Sequence, residues 1–120
     1  MHENEVRNKF RKLVQQLISN TENGKIVWHD TADEDAFRAN MQGGMVRVQK
    51  RFRFDEEGHE VIDYSLTLLD RKGRELEDYS PESLAPENDL ADLWNWARRS
   101  SRGSVDVLDN LLKETALEDH

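Results

Sequence analysis

The 120-residue chain has no cysteine, so neither a disulfide framework nor thiolate chemistry enters its design. The sequence begins Met1-His2-Glu3-Asn4-Glu5, with no basic region followed by an apolar run. That excludes an ordinary secretory signal, and no run approaches the roughly 20 apolar residues of a membrane-spanning helix. The cytoplasm is therefore the expected compartment. Chemical signatures are missing as well. There is no Gly-x-Ser-x-Gly elbow, and no glycine-rich loop joins a strand to a helix to cradle phosphate. His2, His29, His59 and His120 include no pair with metal-ligand spacing and a third ligand nearby. No catalytic, cofactor-binding or metal-binding residue is expected on these grounds, and nothing singles out a carboxylate pair for acid–base chemistry.

Charge is abundant. Charged residues make up 35% of the chain, the formal net charge is -8, and Leu, Val, Phe and Ile together number 28. An apolar share of about 23% sits just above the roughly 20% below which highly charged chains tend to stay disordered. One domain spanning 1–120 is expected, with one small core and a heavily charged surface. The acidic balance disfavours non-specific binding to nucleic acid.

The pattern of apolar residues separates three regions. Val6, Phe10, Leu13, Val14 and Leu17 recur at helical spacing, with Glu3 and Glu5 in the first turn and Asn23-Gly24 as the stop. From Lys25 the period changes to two. Ile26 and Trp28 mark a first strand at 25–30, and Val46, Val48, Phe52 and Phe54 then share one face of a long strand, with Lys50 among them. Ile62, Tyr64, Leu66 and Leu68 continue that face on the next strand. Gly43-Gly44 predicts a two-residue primed turn that sets Ala39 opposite Val48. A five-residue loop over Asp55 to His59 sets Phe52 opposite Ile62, and a glycine-bulge turn at Asp70-Arg71-Lys72-Gly73 sets Leu68 opposite Leu76. A linker containing both prolines, Pro81 and Pro86, follows. Beyond it, Leu90, Leu93, Trp94 and Ala97 define a helix capped by Asn88, and Gly103 ends it. Ser104 caps a last amphipathic helix bearing Val105, Leu108, Leu111 and Leu112.

The fold class that follows is α+β: an N-terminal helix, an antiparallel meander of about five strands, and two C-terminal helices packed on one sheet face. This layering resembles small acidic bacterial secretion chaperones, whose strands are interrupted by a helix; none is expected here between Gly24 and Tyr79.

Two surfaces stand out as candidates for binding. The sheet face away from the helices should carry Arg38, Arg47, Arg51 and Arg53 with Gln49, Asp63, Ser65 and Thr67. These arginines suit a carboxylate or phosphate, or else form an ordinary solvated face with Arg51 paired across to Asp63. No aromatics are interleaved among them, which disfavours single-stranded nucleic acid. The second candidate is Trp96, about 100° off the apolar stripe of its helix, either flanking the core against Leu111 or serving as an interface anchor. Acidic runs near Asp33, Asp55 and Glu77 lack the ligand alternation of a calcium loop and read as solubilising charge. The expected role is a non-catalytic interaction or regulatory module whose partner is another protein, a second copy included. Binding of an anionic ligand or a nucleic acid through the arginine face is the alternative.

Overall fold

The computed structural model describes residues 2–80 and 89–118. The architecture is α+β: helix α1 (His2–Glu22), strands β1 (Trp28–Asp30), β2 (Ala36–Met41), β3 (Gly44–Phe54), β4 (Glu60–Leu69) and β5 (Glu75–Tyr79), then helices α2 (Asp89–Ser101) and α3 (Ser104–Glu118). The strands form one antiparallel sheet in sequence order, β1-β2-β3-β4-β5. The proline-containing segment 81–88 and the Asn88 cap lie outside the described residues, as do the side chains of Glu3, Ser104 and Val105.

The helix α1 ends as its glycine requires. Gly24 takes φ of 72°, and the Gly24 and Lys25 amides donate to the Thr21 and Asn20 carbonyls at 3.1 and 2.8 Å. That pairing is a Schellman closure. Phe10, Val14 and Leu17 from α1 meet Leu90, Leu93 and Ala97 from α2 above Phe37, Val48 and Leu66 of the sheet, forming one buried cluster. Its corners are fixed by aromatic contacts. The Phe10 ring stacks on Tyr79 at 4.7 Å, and the Trp94 indole donates to the Asp35 carbonyl at 2.9 Å while lying 5.6 Å from Phe37. At the other end, the buried Trp28 indole donates to Thr21 Oγ1 at 2.9 Å, joining β1 to α1.

The long hairpin has the expected register, with Phe52 opposite Ile62, Val48 opposite Leu66, and Gly58 left-handed at φ 81°. Three expectations need correction. The first strand is shorter, beginning at Trp28 rather than Lys25. The β2–β3 turn uses Gln42 and Gly43, so Ala39 faces Val46 rather than Val48. A slip of two residues preserves which face each side chain occupies, so the apolar pattern cannot detect it. Its physical cause is Gly44, which lies inside β3 with φ of 153°, where a Cβ would come within 2.7 Å of the Leu69 carbonyl oxygen. In the last hairpin Leu68 faces Glu77, because the register shifts between Leu68 and Leu69. Leu76 is left out of the pairing and 66% exposed.

Candidate functional site

The open sheet face is less wet than the alternation implies. Ser65 and Thr67 lie on it and are nevertheless buried, flanked by the longer side chains of Gln49 and Arg47 on β3. The arginines are largely spoken for. Arg47 Nη2 donates to Glu75 Oε1 at 2.6 Å, and Arg53 Nε pairs with Asp63. The hydrogen bond and charge of Arg47, with a smaller contribution from Arg51, hold the Glu75 carboxyl below its usual range. The expected Arg51–Asp63 pair is corrected. Although those residues face each other in the register, Asp63 is taken by Arg53 two positions along, and Arg51 donates to Gln49 Oε1 at 3.4 Å. Among the described residues, Arg38 and Arg51 have no carboxylate within 4.0 Å.

Arg38 and Arg47 stand opposite each other on β2 and β3 and line a cleft of about 390 Å3 with Thr31, Asp33 and Gln49. The Arg47 Nε is buried there and meets no acceptor among the described residues. Asp33 accepts from Gln49 Nε2 at 3.0 Å, so the cleft holds both signs of charge. The acidic loops turn out to have local work. Asp33, Asp55 and Asp70 each accept backbone N–H bonds two residues ahead, the geometry of an Asx turn.

Trp96 is half-buried, with the Arg99 guanidinium 5.1 Å above its ring. It flanks the helical layer, and the arginine stack occupies one of its faces. The larger apolar exposures are elsewhere, at positions the pattern alone assigned to the covered face. Phe52, Phe54 and Ile62 are 52%, 73% and 43% exposed at the far end of the β3–β4 hairpin. They extend the core face beyond the helices. At the border, Lys50 places its Nζ 5.2 Å from the Phe52 ring and 4.8 Å from the Trp94 ring, and Arg98 lies 5.9 Å from the same indole.

Helix α3 is the second apolar exposure. It packs against α2, yet every side chain from Val107 to Ala116 is exposed, including Leu108, Leu111 and Leu112. An amphipathic helix whose stripe faces solvent is short of a partner surface. The strand pattern could not reveal the hairpin platform, because residues on one face of a strand look alike whether a helix covers them or stops short. The stripe on α3 was legible, but not its lack of cover.

A smaller apolar groove of about 200 Å3 runs between α1 and the β4–β5 edge, lined by Val6, Phe10, Leu13 and Leu68. Among the described residues, no cluster of His, Asp or Glu is arranged to hold a metal ion, and no helix is long and apolar enough to cross a membrane. No family model, curated protein or solved structure matches the chain.

Proposed function

We propose that this chain is a non-catalytic protein-interaction module that binds through the apolar side of its helical layer. The observation that carries this reading is the exposed stripe of α3, Leu108, Leu111 and Leu112, on a helix with no described side chain buried from Val107 to Ala116. A 15-residue helix is marginal in water by itself, and its stability comes from packing an apolar face. The hairpin platform of Phe52, Phe54 and Ile62 adds a second exposed apolar area on the same chain. A cysteine-free, acidic module of this kind suits the cytoplasm. The test is affinity capture with wild type beside two sets of variants. Proteins recovered by wild type should be lost with Leu108→Glu/Leu112→Glu and kept with Arg38→Glu/Arg51→Glu. The opposite pattern would reject the reading.

A second reading is favoured by the cleft that Arg38 and Arg47 line together from opposite positions on β2 and β3, where a small carboxylate or phosphate would meet two guanidinium groups. Its reach is limited by Glu75 and Asp33, which already engage Arg47 and Gln49. Calorimetric titration with inorganic phosphate tests it: binding abolished by Arg38→Glu supports the site, and no heat with wild type removes it.

A further inference from the structure

We infer that the partner covering these apolar surfaces is a second copy of the same chain, each copy laying α3 on the other's hairpin platform. This rests on the interaction reading and names its occupant. The two surfaces are complementary halves of one interface. The platform is a two-stranded apolar face that lacks a covering helix, whereas α3 is an apolar helix that lacks a covering sheet. Helices α1 and α2 already cover the rest of that same sheet face, so α3 of a second copy would continue the layer rather than begin a new one.

Dimensions and area agree. From Leu108 to Leu112 the helix rises about 6 Å, and from Phe52 to Phe54 the strand rises about 7 Å. The six apolar side chains expose on the order of 100 Å2 each, roughly 600 Å2 per chain. Reciprocal exchange would bury roughly 1,200 Å2 of apolar surface over two copies before any polar rim is counted. Standard stable interfaces bury about 1,200–2,000 Å2 in total. A single patch buried once would fall well short of that.

Charge complements the contact. The platform has Lys50 and Arg98 at its border with α2 and Asp55, Glu56, Glu57 and Glu60 at its tip. Helix α3 carries Asp106, Asp109, Glu114 and Glu118 against Lys113 alone, a net negative charge that Lys50 and Arg98 at the platform's border complement. Exchange of this kind is isologous and closes at two copies.

The test is complementation between two variants of the full chain, followed by sedimentation velocity. Leu108→Glu/Leu112→Glu spoils only α3, and Phe52→Glu/Phe54→Glu spoils only the platform. Wild type should be a dimer, and each variant should weaken dimerisation about a hundredfold or more. An equimolar mixture of the variants should associate more tightly than either variant alone and less tightly than wild type, since it rebuilds one of the two α3–platform contacts. Association in the mixture no tighter than in either variant alone, with wild type dimeric, would assign the dimer to some other pairing and overturn the exchange. A monomeric wild type would also overturn it. The wider interaction reading would fall only if the α3 variant captured the same foreign partners as wild type. Should either variant misfold by circular dichroism, single cysteines placed in the cysteine-free chain serve instead. Phe54→Cys mixed in equal amount with Leu112→Cys should form the mixed disulfide under mild oxidation well beyond the half share that random pairing gives. A mixed share of half or less would contradict the exchange.

Discussion

Thr21→Val should destabilise the protein far more than its small change in shape implies. Thr21 and Trp28 are each 1% exposed. The Trp28 indole donates to Thr21 Oγ1 at 2.9 Å, and that hydroxyl donates in turn to the Leu17 carbonyl at 2.6 Å. Valine fills nearly the same space, so the cavity contribution is small and the polar loss dominates. The indole N–H is left buried with no acceptor, which costs about 1–3 kcal/mol. A central value of about 2 kcal/mol lowers Tm by about 6–10 °C in a chain of this length. Urea denaturation followed by far-UV circular dichroism measures it. Trp28→Phe removes the donor instead and adds a packing loss. In the double variant donor and acceptor vanish together, so the double-mutant cycle should show coupling of about 1 kcal/mol or more. A Thr21→Val change within about 0.5 kcal/mol of wild type, or an additive cycle, would refute the relay.

Leu66→Ala removes a fully buried side chain at the centre of the sheet and should cost about 2–5 kcal/mol in the same denaturation assay. Gly44→Ala should lower stability by more than about 1 kcal/mol, because its φ of 153° and the Leu69 oxygen 2.7 Å from a new Cβ leave no room, while Gly43→Ala should be nearly neutral. Asp70 is held below the usual carboxylate range, first by the Arg74 backbone N–H and then by the Arg74 side chain and the Lys72 and Gly73 amides, against an opposing desolvation. A depressed folded pKa adds stability above the unfolded pKa that is lost as pH falls through the folded value. The deficit of Asp70→Asn, read from thermal melts across pH, should therefore be largest near neutrality and narrow in acid.

The α1 helix, the two-residue periodicity of β3 and β4, and the apolar stripe of α2 were legible because each follows from local spacing. The β3–β4 register was legible too, since a five-residue loop over Asp55 to His59 with Gly58 left-handed aligns the apolar residues of both strands. Elsewhere the pattern is blind to shifts of two residues, as at Gly44, and to an extra residue such as Leu76 in the last hairpin. The arginine face shows a different limit. Alternation places Arg47, Arg51 and Arg53 on one side correctly, but long side chains reach past their register partners, so Arg53 rather than Arg51 takes Asp63. Arg47 is also tied to Glu75 and only 25% exposed, which couples binding and stability at that position. Arg38 and Arg51 are the cleaner probes of that face.

Hydrogen exchange read by mass spectrometry tests the central claim most directly, comparing free protein at low concentration with protein at high concentration or saturated with a captured partner. We expect protection to rise over α3 (Ser104–Glu118) and over the hairpin end from Lys50 to Ile62, with little change at Ala36–Met41. New protection confined to the β2–β3 hairpin around Arg38 and Arg47, with α3 exchanging as before, would contradict an apolar binding surface and return the function to the arginine-lined cleft.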